Sequence, residues 1–158
     1  MKNLEQLIHT GDYKFDGMDA SMFLLGLLSA FDNRYQAKAD KFFEEISWKQ
    51  FFAIICINMC KESPTLKELA EIMGSSHQNV KHILNKLEQK GFVETVTDAE
   101  DKRKQRIVLT EKTRIFCAEH DEGSQQIIQK IFENIDPNDI RTAIKTIIQM
   151  EKNLEEIV

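Results

Sequence analysis

Apolar positions along this chain mark out six helical stretches and one pair of short strands. Asp19 is placed to cap a first helix reaching about Ala39. Its Met22, Phe23, Leu25, Leu27, Leu28 and Phe31 spread too widely for one stripe and predict burial on two sides. Ser47 and Gln50 form a capping-box pattern ahead of Phe51, Phe52, Ile54, Ile55, Ile57 and Met59, a helix apolar nearly all round and so a central core helix. The break from Lys61 to Pro64 is followed by a second capping box, Thr65 with Glu68. It opens a short helix through Leu66, Leu69, Ala70, Ile72 and Met73 that ends at Gly74. Ser76 caps a fourth helix in which Val80, Ile83, Leu84 and Leu87 recur at helical spacing until Gly91 stops it. Phe92 to Thr97 and Gln105 to Leu109, rich in Val, Ile, Phe and Thr, read as strands joined by the polar loop Asp98 to Lys104.

Thr110 then caps a fifth helix through about Asn134, and Asp136 followed by Pro137 starts a sixth that runs nearly to Val158. In the last helix Ile140, Ala143, Ile147, Met150, Leu154 and Ile157 alternate spacings of three and four, a helix seam that Ile144 and Ile148 widen. Too little chain remains to cover such a seam as well as the first helix, so a homodimer is expected.

The stretch from Leu66 to Ile83 has helix-turn-helix spacing. Ala70 is small enough for a second helix to approach, Gly74 suits a turn that demands positive φ, and Val80 plugs the angle between the helices. A strand, basic loop and strand follow within a few residues, which makes the unit a winged helix. The expected fold is therefore mainly α with a small β-wing. Residues 1–46 form an N-terminal arm and first dimerisation helix, 47–114 the winged helix-turn-helix, and 115–158 the C-terminal dimerisation helices.

Composition changes this picture only in part. With 42% apolar and 30% charged residues the chain reads as a soluble globular protein. No apolar run approaches the roughly 20 residues that cross a bilayer, and Met1 to Gly17 lacks the pattern of an export signal. Three cysteines without such a signal read as reduced thiols, and the expected location is the cytoplasm. The net charge of -5 argues against nucleic acid until it is mapped. From Ser75 to Arg114 nine basic residues face six acidic ones, so this segment is +3 and the remainder -8.

Opposite the buried stripe of the fourth helix lie Gln78, His82, Asn85 and Gln89, flanked by Lys81 and Lys86. Recognition helices offer their N-terminal residues to base edges, so Ser76, His77, Gln78, Asn79, Lys81 and His82 are the candidates, with Thr65 and Lys86 beside them. The Gln and Asn amides suit adenine, whereas Lys81 and Lys86 suit phosphate. For Asn85 and Gln89 a plain solvated face serves equally well. Lys102, Arg103 and Lys104 fall at the loop tip, where Arg103 is the best candidate for a narrow minor groove. Lys104 and Arg106 read equally well as charged residues on a strand edge, and Asp101 reads as a turn residue.

Leu66-Lys67-Glu68-Leu69-Ala70, Leu87-Glu88-Gln89-Lys90-Gly91-Phe92-Val93, Asp98-Ala99-Glu100-Asp101-Lys102-Arg103 and Leu109-Thr110-Glu111-Lys112 together resemble the MarR family of transcription regulators. The resemblance covers Ser47 to Arg114. It departs from the family at Thr113, where Gly is usual, at Thr95, where a basic residue is frequent, and at Ser75, where an apolar residue is common. The resemblance implies a homodimer on double-stranded DNA and a role for Asp101 in holding the Arg103 side chain. It also implies a small-molecule effector in a crevice between dimerisation and DNA-binding parts, which Phe23, Leu27, Trp48, Phe51 and Phe52 would line unless they are simply core.

Other chemistries find little support. Cys56 and Cys60 sit on the most apolar helix and read as core filler, with Cys60 beside Lys61 and Cys117 near Arg114 leaving only a small opening for a thiol switch. His9 and His120 lack metal-ligand spacing, so no metal and no cofactor are expected. A phosphate-cradling glycine loop, a nucleophile elbow and paired carboxylates are all missing, so an enzyme is not expected. The rival reading is a winged helix that binds protein instead of DNA, which would favour apolar or acidic residues on the two reading surfaces.

Overall fold

The computed structural model describes residues 19–157. The Met1 to Gly17 stretch with His9, and Val158, lie outside the described residues. Six helices and two strands occur among the described residues, in the order the apolar pattern predicts.

Local hydrogen bonding explains where the elements begin. Helix α1 (Ala20–Ala39) starts where the Asp19 carboxylate accepts the Ser21 N–H at 2.8 Å. Both expected capping boxes form at α2 (Trp48–Met59) and α3 (Leu66–Ile72). Ser47 Oγ accepts Gln50 N–H at 3.3 Å while Gln50 Oε1 accepts Ser47 N–H at 3.0 Å. Thr65 and Glu68 exchange the equivalent bonds at 3.3 and 2.7 Å. Each box satisfies N–H groups that the helix leaves without partners, worth about 1 kcal/mol. Ser76 caps α4 (His77–Gln89) through Asn79 N–H at 3.3 Å.

Two left-handed glycines end the paired helices. Past α3, Gly74 at φ 57° lets its own N–H reach Glu71 O at 3.1 Å and Ser75 N–H reach Ala70 O at 3.0 Å. Past α4, Gly91 at φ 76° repeats the geometry, with Gly91 N–H to Glu88 O and Phe92 N–H to Leu87 O, both at 2.9 Å. This double bond pattern satisfies the last carbonyls of a helix, and its usual companion is an apolar contact across the turn. Phe92 and Leu87, both fully buried, are the matching pair at the second turn. At the first turn the corresponding residues are Ser75 and Ala70, so Ser75 is free for another use described below.

Strands β1 (Val93–Thr97) and β2 (Gln105–Leu109) pair antiparallel from Val93↔Leu109 to Thr97↔Gln105. Ile107 N–H donates to Pro64 O at 2.9 Å, which ties β2 to the loop that enters α3. The core of this part is Ile54 from α2, Leu69 from α3, Val80 and Leu87 from α4, and Phe92 and Val93 at the start of the hairpin, each under 2% exposed. Burial of such side chains contributes on the order of 1.5–3 kcal/mol apiece. Val80 and Ala70 are both buried, as the helix-turn-helix spacing predicts. The fold is mainly α with a β-wing, a winged helix-turn-helix.

The chain divides into two compact units, one through Thr110 and one from Glu111. The second holds α5 (Glu111–Ile131) and α6 (Pro137–Glu155). α5 stops before Asn134, which adopts a left-handed φ of 62° and leads into the Asp136 cap of α6, where Asp136 accepts Asn138 N–H at 2.7 Å. Asn tolerates that backbone better than other non-glycine residues.

Two expectations about burial need correction. α1 is not buried on two sides, and it has no fully buried residue. Tyr35 packs edge-on against Trp48 at 4.7 Å, but Met22, Leu25, Leu27 and Phe31 are exposed. Along α2, Met59 is also exposed at 76%, so that helix is central only through Gln50, Ala53, Ile54, Cys56 and Ile57. α6 buries none of its residues, and Ile144, Ile147, Ile148, Leu154 and Ile157 are all exposed.

Candidate nucleic-acid interface

Helix α4 turns one face inward through Val80, Ile83 and Leu87, and this alone decides what the other face offers. His77, Gln78, Asn79, Lys81, His82, Asn85 and Lys86 are exposed. Ser76, Gln78, Asn79, Lys81, His82 and Asn85 line one open concavity of about 530 Å³. The N-terminal candidates other than His77 therefore share a surface with Asn85, further along the helix.

Three of the candidates also have local duties. Ser76 Oγ caps α4, and Thr65 Oγ1 both accepts Glu68 N–H and donates to Glu68 Oε2 at 3.0 Å. Asn79 Nδ2 donates to Ser75 Oγ at 2.8 Å. That bond occupies one of the two amide hydrogens of Asn79 and leaves its carbonyl oxygen and second hydrogen to face outward groups. The polar residue at Ser75, where the resembled family favours an apolar one, thus gives up the apolar contact across the turn and holds a reading-face amide instead.

The wing loop is organised by aspartates. Asp98 Oδ1 accepts the N–H groups of Glu100 and Asp101, both at 2.8 Å, while its own N–H donates to Lys104 O at 3.0 Å. These N–H groups and Arg106 hold the Asp98 carboxyl at about 2, well under its ordinary 3.8. Asp101 Oδ1 accepts both the backbone N–H of Arg103 at 3.1 Å and its Nε at 3.2 Å, and these bonds lower the Asp101 pKa too. The Arg103 side chain is nonetheless 92% exposed, so it is oriented and still free to reach outward.

Arg106 is the residue that sequence reasoning undervalued. It is no mere strand-edge charge: Nε donates to Asp98 Oδ2 at 2.6 Å, and Nη1 donates to Ser63 O at 3.1 Å and Glu68 Oε2 at 3.4 Å. Its side chain is only 21% exposed. Asp98 first and Glu68 after it raise its pKa. Its partners lie 8, 38 and 43 residues away in sequence, too far for spacing rules to pair them.

A cleft of about 370 Å³ lies behind the reading face, bounded by Tyr35 and Gln36 of α1, Trp48, Lys49 and Phe52 of α2, the turn Met73 to Ser75, and Asn79 and Ile83 of α4. Of the five residues expected in a crevice, Trp48 and Phe52 line it, whereas Phe23, Leu27 and Phe51 are not among its walls. Ser75 and Asn79 belong both to this cleft and to the hydrogen bond that holds the reading-face amide.

Cys56 and Cys117 show no activation. Burial first and Cys60 second raise the Cys56 pKa, and burial with Asp121 raises that of Cys117, so both stay protonated. His120 is engaged by Phe116, its ring stacked at 4.1 Å and Nδ1 2.9 Å from the Phe116 carbonyl. Among the described residues no group of three His, Cys, Asp or Glu side chains is placed to hold a metal, and no helix is long and apolar enough to cross a membrane.

Comparison with known proteins agrees with this geometry. The fold is similar to a MarR/EmrR family transcriptional regulator from Acinetobacter sp. ADP1, at TM-score 0.78 and 15% identity over 88% of this chain and 99% of that one. It is also similar to Bordetella bronchiseptica BpsR, described with regulation of DNA binding by 6-hydroxynicotinic acid, at TM-score 0.71 and 18% identity over 89% and 98%. An organohalide-sensing transcriptional regulator solved with 2,4-dichlorophenol bound matches at TM-score 0.75 and 16% identity over 92% and 88%. The MarR family model matches residues 46–104, the span from the end of the α1–α2 connection to the end of the wing loop. Residues 46–104 therefore match the MarR family model, in a chain whose winged helix-turn-helix fold is similar to that of solved MarR family regulators.

Proposed function

We propose that this protein is a sequence-specific, double-stranded-DNA-binding transcriptional repressor that acts as a cytoplasmic homodimer on a pseudo-palindromic operator. The observation that carries the reading is the pairing of two outward surfaces. One is the exposed polar face of α4, with Gln78, Asn79, Lys81 and His82, and the other is an exposed Arg103 steered by Asp101. In this reading the amides of Gln78 and Asn79 meet base edges in the major groove, with Ser76, His77 and His82 beside them. Lys81, Lys86 and Thr65 meet phosphate, and Lys102, Arg103 and Lys104 reach the flanking minor groove. A protein-docking winged helix would favour apolar or acidic side chains at these positions, so the polar and basic set supports DNA.

Residues 1–46 and 115–158 serve dimerisation around the DNA-binding 47–114. The uncovered apolar side chains of α1 and α6 support this, since a soluble chain rarely leaves so much apolar surface to water. A two-fold dimer would offer its two α4 helices to half-sites about one DNA turn apart. The cleft behind α4 is the best candidate for an effector site. An occupant there would touch Ser75 and Asn79 and so bias the reading face directly, provided it binds the two conformations unequally.

A salt-dependent titration against a genomic fragment library tests the reading, comparing wild type with Arg103→Ala and Gln78→Ala. A selected pseudo-palindrome with steep salt dependence, weakened by Arg103→Ala and less selective with Gln78→Ala, is the expected result. Absence of any duplex preference at low salt, with or without aromatic effectors, would remove the DNA assignment.

A further inference from the structure

We propose that Arg106 is a positioning residue for the wing: it contacts no DNA itself, but locks the wing loop to the helix-turn-helix so that Arg103 stands where a minor groove can receive it. This rests on the DNA-binding reading above and goes beyond it by assigning a task to a residue on neither reading surface.

A continuous chain of hydrogen bonds runs from the entrance of α3 to the wing tip. At one end, Ser63 O and Glu68 Oε2 belong to the entrance of α3, the first helix of the pair, and both accept from Arg106 Nη1. Glu68 is itself fixed there by accepting Thr65 N–H at 2.7 Å. In the middle, Arg106 Nε reaches Asp98 Oδ2, across the mouth of the wing loop. The other oxygen of Asp98 accepts Asp101 N–H, and Asp101 in turn holds Arg103 through both its backbone N–H and its Nε. Every link from α3 to the wing-tip guanidinium is thus occupied.

The geometry explains why an arginine is needed. A two-stranded hairpin alone is a pliant element, only marginally stable without other support. Its backbone is tied to the body by Ile107 N–H to Pro64 O and by Thr95 N–H to Glu88 Oε1, both on the strands and neither on the loop itself. Arg106, one residue earlier on β2, adds a planar fork that satisfies a carboxylate on the loop and two acceptors on the body at once. Lys has one compact ammonium in place of this fork. With the side chain mostly covered and its Nε and Nη1 committed, Arg106 is poorly placed to serve phosphate as well.

The test is a double-mutant cycle on the operator selected by wild type, with melting temperature recorded for each protein. Arg103→Ala should weaken binding about tenfold, the scale of one lost specific contact. Arg106→Ala should weaken it by a similar factor, and the double variant should be no weaker than the poorer single variant. Hydroxyl-radical footprints should lose protection in the flanking minor grooves while major-groove protection persists, a pattern that loss of folded protein would not produce. If Arg106→Ala folds poorly, Asp98→Asn serves, since its remaining oxygen can keep the loop turn while its amide nitrogen no longer accepts from Arg106. It should show the same footprint. Additive losses, near a hundredfold in the double variant, would mean that Arg106 contacts DNA independently and would overturn the proposal. Wild-type affinity in both Arg106→Ala and Asp98→Asn would overturn it as well. If wild type itself selects no duplex, the underlying DNA reading fails and the proposal with it, whereas a loss confined to the variants concerns Arg106 alone.

Discussion

Replacing Gly74 by Ala isolates the torsional demand of the turn between α3 and α4. Gly74 sits at φ 57°, and a Cβ added there meets no atom within 4 Å, so the substitution carries no steric term against its surroundings. What remains is the left-handed backbone, which costs an L-residue roughly 1–2 kcal/mol. Reduced freedom of the unfolded chain returns about 0.4–1 kcal/mol. The net destabilisation is therefore about 1 kcal/mol, which for a chain of this length lowers Tm by roughly 2–4 °C. Circular-dichroism melts at one fixed protein concentration measure it, the concentration being held because assembly shifts apparent stability. Gly74→Asn should fall between glycine and alanine, since Asn visits this region more readily. A loss beyond about 3 kcal/mol, the upper range for overpacking, would refute the reasoning. So would an Asn variant no better than Ala, because either result would mean that contact and not torsion governs the turn.

Two further outcomes follow from the structure. Ile147→Glu together with Ile148→Glu places charge on the exposed apolar face of α6 and should convert the expected dimer to monomer in analytical ultracentrifugation with helical content retained; an unchanged mass would remove α6 from the interface. Asp98, held at about 2 against an ordinary 3.8, stabilises the fold above pH 4, and this contribution disappears as pH falls through 2. The stability gap between wild type and Asp98→Asn should accordingly close between pH 4 and 2 in denaturant titrations, and a gap constant across that window would show that the carboxylate charge is irrelevant to the wing.

Much of this architecture is legible one residue at a time because it rests on local bonds. Asp19, Ser47, Thr65, Ser76 and Asp136 cap helices within three residues of themselves, and Gly74 and Gly91 end helices by a torsion that belongs to the residue. The Val-, Ile- and Thr-rich runs of β1 and β2 and the stripe of Val80, Ile83 and Leu87 are likewise short-range patterns. Together these determine the order of elements, the winged helix-turn-helix and the outward face of α4. Tertiary structure alone decided the rest. Arg106 reads as an ordinary edge charge until folding brings Ser63, Glu68 and Asp98 to it, and Ser75 reads as an irregularity until Asn79 turns toward it. The apolar pattern of α1 likewise announces a need for burial without saying what supplies it. Periodicity reports which face of a helix avoids water, whereas the partner of a polar group or of an apolar face is set by packing between segments remote in sequence, which no local spacing encodes.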